Sequence, residues 1–254
     1  MTVVAGTILP HAPALTLDPP PRPLGSSSKT IRAAIDSVQL GDCDVVVVAS
    51  PHAAATGVYS GIGGSLEGFG IRGKTVTAEV PVGGAEDLAD KWGYPVVEPP
   101  VDHGIVGALL LETRLALSGL LAVGIAGATG PAPPGDCETA MHHGAALAEA
   151  VEAFSDGRRV GFVASAHTAA ALGAGAPLLD RPEGHELDQR VLAALRADPA
   201  DLAGIEPGLW RAAGSCGAGP LSAFGLLFGG RRAEVLAYES PAGVGYIVAR
   251  SEGS

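Results

Sequence analysis

Three histidines of this chain stand at equivalent places. His11 in ILPHAP, His52 in VVASPHA and His167 in FVASAHT each follow a short run of β-branched and apolar residues. If those runs are strands of one sheet, three imidazoles converge at its carboxyl edge, where open α/β sheets build their sites. That convergence predicts a metal or acid-base site, because a neutral imidazole is both a metal ligand and a proton carrier near neutral pH. Any one of the three alone is more often a structural or surface residue; three at analogous strand ends change the odds. Two neutral imidazoles and one anionic ligand on a common face leave open positions on a divalent ion. Non-haem Fe(II) oxygenases use that arrangement when the third ligand is a carboxylate. The third donor must then come from elsewhere in the chain.

Other patterns carry less. Gly68-Phe-Gly-Ile-Arg-Gly-Lys74-Thr75 matches the spacing of a phosphate loop. Such a loop must open a helix whose N-terminal amides hold the anion, whereas Thr75 to Val80 is β-branched and alternating, a strand after a turn. Gly214-Ser215-Cys216-Gly217 lacks both the spacing and the preceding strand of a nucleophile elbow. His185-Glu186 is followed by Gln189 where a zincin helix needs a second histidine. His142 and His143 share a helix and point in different directions, which leaves them exposed or supporting.

The elements that must position these residues follow from hydrophobic period. Val3 to Leu9 reads as a strand and ends at Pro10-His11, and the proline-rich run from Asp18 to Pro23 must be loop. Ser26 to Ser28 offer N-caps for a helix through Ile31, Ala34, Ile35 and Val38. Asp44 to Ala49, with four consecutive valines, reads as a strand buried on both faces. Val58 to Gly73 is glycine-rich and turn-like, Lys74 to Val82 alternates as a strand, and Ala85 to Trp92 suits a short helix. A helix over Ile105 to Leu117, a strand over Leu120 to Ala126, a long helix over Glu138 to Phe154 and a strand over Val160 to Ala164 come next. Helices at Glu186 to Arg196 and Leu221 to Phe228 precede two strands, Glu234 to Tyr238 and Gly245 to Ala249, expected to form a hairpin. No repeat or linker divides residues 1–254, so the expectation is a single α/β domain of three α/β/α layers. Its central sheet is expected to be mixed and largely parallel.

Composition excludes several classes. At 254 residues with 47% hydrophobic residues, the chain has ample core for one large domain. Aromatic residues are only 4% against 37 glycines and 20 prolines, which predicts close-packed small residues rather than a bulky core. A net charge of −11 repels phosphate backbones and anionic membranes, so no nucleic-acid or membrane partner is expected. Three widely spaced cysteines and no signal-like N-terminus predict a reducing cytoplasm without a disulfide framework. The uncharged stretches Leu115 to Gly135 and Ala212 to Gly230 approach membrane-span length, but glycines and prolines interrupt them.

In chain order, five segments together resemble a known family. They are PHAP at the N-terminus, SPH after the second buried run, Asp102-His103-Gly104, Ser165-Ala166-His167, and Gly214-Ser215-Cys216-Gly217 ahead of an apolar helix. The set resembles the class III extradiol ring-cleavage dioxygenases of the protocatechuate type and the related Memo-like proteins. In those dioxygenases iron is held by two histidines and a late glutamate, so the resemblance implies His11 and His52 as metal ligands. The glutamate position falls on Cys216, and Memo-like proteins also carry a cysteine in this region. The implied ligand set is His11, His52 and Cys216, holding a divalent metal: Fe(II) first, with zinc or copper admitted because a thiolate is softer than a carboxylate.

Within the same resemblance, His167 matches the acid-base histidine, although the acidic partner common before it is replaced by Ala164-Ser165-Ala166. His103 matches the pocket histidine that contacts a substrate oxygen, with Asp102 as its orienter. Should the fold differ, Glu239, Glu183 and Asp102 are the carboxylates that could complete the site. The implied function is Fe(II)-dependent ring opening of a small catechol or aminophenol-type substrate. The alternative is a Memo-like metal- or peptide-binding protein without ring cleavage. A third reading makes Cys216 a nucleophile with His167 or His52 as its base and no metal. Family dioxygenases often pair with a second subunit or form homodimers, so a homo-oligomer is among the expectations.

Overall fold

Strand formation is clearest where the valines cluster. In the computed structural model, which describes residues 3–117, 119–126 and 136–252, Val45–Ser50 is a strand with every residue buried. Its side chains alternate between two cores: Val45, Val47 and Ala49 face one, and Val46 and Val48 face the other. This period-two split is what a strand covered on both faces requires. In chain order the strands are β1 (Val3–Leu9), β2 (Val45–Ser50), β3 (Gly57–Tyr59), β4 (Ile62–Ser65), β5 (Thr75–Ala78), β6 (Val96–Val97), β7 (Gly119–Gly124), β8 (Val160–Ser165), β9 (Glu234–Glu239) and β10 (Tyr246–Glu252). Eight of them form one sheet in the order β6-β3-β7-β2-β8-β1-β10-β9, and β4 and β5 pair separately.

The centre of the sheet is parallel, with β2 paired to β7 and β8, and β8 to β1. Towards the edges β10 runs antiparallel to β1 and β9, and β3 antiparallel to β7. The sheet is therefore mixed and largely parallel, and the closing strands form the hairpin that the sequence suggests. One face carries α2 (Gly84–Trp92), α4 (Cys137–Phe154), α5 (Pro182–Ala197), α6 (Pro207–Ala212) and α7 (Ala218–Leu227), whose Leu88, Leu147, Leu187, Trp210 and Phe224 share a core. The other face carries α1 (Gly25–Asp36) and α3 (His103–Leu111), through Ile31, Ile35 and Ile105. This is the three-layer α/β/α architecture. Small residues do set its packing: a Cβ on Gly144 of α4 would lie 2.2 Å from the carbonyl oxygen of Gly219 on α7.

Several elements depart from the sequence reading. α1 begins at Gly25 without a side-chain cap; Ser28 lies inside the helix and turns its hydroxyl back to the Gly25 carbonyl. The glycine-rich run after residue 57 hides β3 and β4. The strand expected over Lys74 to Val82 shortens to β5 and lies outside the main sheet, so a strand follows Lys74 and no helix is available there to hold a phosphate. The helix expected from Ile105 to Leu117 stops at Leu111, where Glu112 leaves helical geometry and a 3-10 turn takes over. Residues 127–135 of the uncharged stretch noted above lie outside the described residues. Among those described, no helix is long and apolar enough to cross a membrane.

Candidate metal centre

The three strands that precede the histidines are immediate neighbours. β8 lies between β2 and β1, and all three run in the same direction. His11, His52 and His167 thus leave one edge of the sheet together. Prolines help to end two of the strands: Pro10 and Pro51 bring no amide hydrogen to the ladder. The β1–β8 pairing continues one step towards the site, where the Ala166 amide donates to the Leu9 carbonyl at 3.0 Å.

Two further elements close on this edge. α3 opens with His103, and Gly107 on its next turn lets the helix lie against the first histidine: a Cβ there would stand 2.5 Å from the His11 carbonyl oxygen. The turn before α7 brings Cys216, which is 3% exposed, beneath His11, which is also 3% exposed. His52, His103 and His167 are half-buried.

The donor atoms meet closely. His11 Nε2 lies 2.9 Å from His52 Nε2 and 3.8 Å from Cys216 Sγ. Cys216 Sγ lies 3.0 Å from His167 Nδ1. The His52 and His103 rings are stacked at 4.1 Å with a 33° tilt. Two groups of three donors lie within 4.8 Å of one another: His11 with His52 and His103, and His11 with His167 and Cys216. His11 belongs to both. The structure thus brings all five residues singled out in the sequence to one place, grouping His52 with His103 and Cys216 with His167.

Hydrogen bonding settles which nitrogen of His11 faces this cluster. Ser165 Oγ donates its one hydrogen to the Gly104 carbonyl at 2.7 Å. It can therefore only accept from His11 Nδ1, 3.1 Å away. With the proton on Nδ1, the lone pair is on Nε2 and points at His52. An oxygen acceptor behind a metal-binding imidazole is the usual partner in such sites. The spacing suits an ion too, since metal–nitrogen bonds of about 2.0–2.1 Å place two nitrogens about 2.9 Å apart at a right angle.

Electrostatics keeps the imidazoles uncharged. Burial first, then the neighbouring imidazoles, pushes His11 well below its ordinary value. The same causes lower His52 to about 2. Burial and then His103 lower His167 to about 4. His103 is also lowered by burial, against the opposing charge of Asp102. Burial pushes the Cys216 thiol up to about 12. Burial thus favours the uncharged form of both Cys216 and His167, whose Sγ and Nδ1 face each other at 3.0 Å. This buried His/Cys group could hold a metal ion, because four lone-pair donors need not first lose protons.

The carboxylates are placed differently from the sequence expectation. Asp102 does not hydrogen-bond to His103; it caps α3, accepting on Oδ1 from the Gly104 and Ile105 amides at 2.8 and 3.4 Å and from Ser50 Oγ at 2.5 Å. Its Oδ2 is buried without a hydrogen-bond partner. Glu239 accepts from Ser27 at 2.7 Å on the outer strand β9, and Glu183 is exposed in the first turn of α5. Neither metal-ligand group contains a carboxylate among the described residues. Ser165, which ends β8 two residues before His167, was noted in the sequence only as part of the Ser165-Ala166-His167 motif; its role as the partner of His11 was missed, since its own acceptor lies 61 residues away.

No family model matches this chain, and no curated protein matches its sequence. Among solved structures it is similar to that of the uncharacterized protein JW3007 from Escherichia coli K12. The two share 17% identity and a TM-score of 0.59 over 97% of this chain and 99% of that one, a likeness in fold.

Proposed function

We propose that this chain binds a divalent metal through His11 and His52, and works as an Fe(II)-dependent extradiol dioxygenase-type enzyme that opens a catechol or aminophenol ring. The observation that carries the metal reading is the Nε2 lone pair of His11, fixed by Ser165 and aimed at His52 Nε2 2.9 Å away. We take His103 as the third donor, because it completes a group with those two histidines. The ordered motifs support the ring-opening chemistry. A divalent ion at this place supplies a Lewis acid that lowers the pKa of a ring hydroxyl. His167 is the neutral proton-handling residue, its ring held by Cys216 at 3.0 Å. The buried floor of His11 and Cys216 excludes water from below.

The test is metal analysis of anaerobically purified wild type, His103→Ala and Cys216→Ala, followed by oxygen uptake with catechol and 2-aminophenol. Near-stoichiometric iron that is retained in Cys216→Ala and lost in His103→Ala is expected. The reverse pattern makes Cys216 the third ligand, and a wild type that stays metal-free after reconstitution overturns the reading. One observation favours a second function: neither donor group includes a carboxylate. Stoichiometric metal without oxygen uptake would identify a Memo-like binding protein.

A further inference from the structure

The donor cluster is closed on one side and open on the other. His11 and Cys216 are each 3% exposed, whereas His52, His103 and His167 are half-buried, so a ligand approaches from the side of these three rings, two of which, His52 and His103, are in contact. Phe69 stands there. Its ring is 4.7 Å from the His103 ring at 53°, and His103 is itself stacked on His52. The three rings are in consecutive contact, from half-buried His52 through half-buried His103 to exposed Phe69. Phe69 is 54% exposed and is the aromatic residue among the exposed large hydrophobic side chains described, the others being Val82, Leu179 and Leu226.

The hairpin that carries Phe69 is fixed relative to His103. The 3-10 turn Glu67–Phe69 joins β4 to β5. At the base of the hairpin the Val101 amide donates to the Gly63 carbonyl at 2.9 Å. Gly64 packs on α3 so tightly that a Cβ would lie 2.6 Å from the Val106 side chain. Since α3 begins with His103, one packed unit holds both rings. An exposed aromatic face in that position loses water contact favourably when a second ring covers it.

We infer that Phe69 is the outer wall of a subsite for a planar aromatic ring whose oxygen atoms reach the histidine cluster. This rests on the metal-dependent reading above. The test uses two chelating probes on the metal-loaded protein: 4-nitrocatechol, which has a ring, and acetohydroxamate, which has none. For Phe69→Ala, with metal content unchanged, 4-nitrocatechol binding should weaken about two- to tenfold, the worth of one aromatic pair. Acetohydroxamate binding should stay the same, and Phe69→Leu should fall between. Equal loss for both probes would make Phe69 a packing residue, and no loss for either would remove it from the site; each result overturns the inference. Wild type that binds acetohydroxamate and not 4-nitrocatechol overturns the aromatic subsite and leaves the metal site standing. Wild type that takes up no metal overturns the metal reading and the subsite with it.

Discussion

Ser165 governs the donor cluster without belonging to it. Its hydroxyl, committed to the Gly104 carbonyl, can only accept from His11 Nδ1. Ser165→Ala removes that acceptor and frees the ring to change tautomer. Loss of such a partner lowers metal affinity by about 10- to 100-fold; titration against a competing chelator measures it, with the Ala variant expected to keep its fold. At this scale the sequence was informative where chemistry and position coincide. His11, His52 and His167 each follow an apolar run, and two of them follow a proline, so their shared edge could be read directly. His103 and Cys216 were found through ordered motifs. Ser165 opens one of those motifs and Phe69 stands in the phosphate-loop-like run, but the role of neither was legible, because each depends on contacts with residues far along the chain: Gly104 for one, His103 for the other. The resemblance implied Asp102 as the orienter of His103, yet an aspartate before a helix has two amides to satisfy first, and those of Gly104 and Ile105 take its Oδ1.

The loop carrying His167 depends on an element from another layer. Asp188 of α5, 3% exposed, accepts from the Ala169 amide at 2.9 Å. It also accepts from the Tyr238 hydroxyl of β9 and bonds to Thr168. One carboxylate thus joins α5, β9 and the segment just after the acid-base candidate. Asp188→Ala leaves the Ala169 amide and the Tyr238 hydroxyl unsatisfied, and should cost about 2–4 kcal/mol in denaturant unfolding; Asp188→Asn, which keeps part of the bonding, should cost less. The continuous valine run of β2 and the long helix α4 were legible. Short elements were not: β3 and β6 have three and two residues, and pairing with neighbours, not side-chain pattern, makes them strands. α6, six residues opening on Pro207, offers too little period to recognise.

For the molecule as a whole, the buried imidazoles set a dependence on acidity. His52 and His167, held by burial and neighbouring rings at about 2 and about 4, start from 6.5 in the unfolded chain. Below pH 6.5 the unfolded chain therefore binds more protons than the folded one. Stability is fully present above that value and falls on acidification, by at most about 1.4 kcal/mol per pH unit for each histidine. Thermal unfolding of the metal-free protein should shift downward between about pH 7 and about pH 5, and a variant with His52→Gln should shift less. The α/β/α architecture was legible from the alternation of strands and helices, but the order of the strands was not, because crossover connections do not join neighbours. That order has a consequence for synthesis. β1 and β2 leave the ribosome early, yet in the finished sheet β8 separates them, holding their ends about 10 Å apart, twice the strand spacing. His11 and His52 acquire their mutual position only after residue 165 has been made and inserted. The edge that carries the candidate metal site is thus completed late, and a growing chain that holds His11, His52 and His103 without β8 has no template that sets these donors side by side.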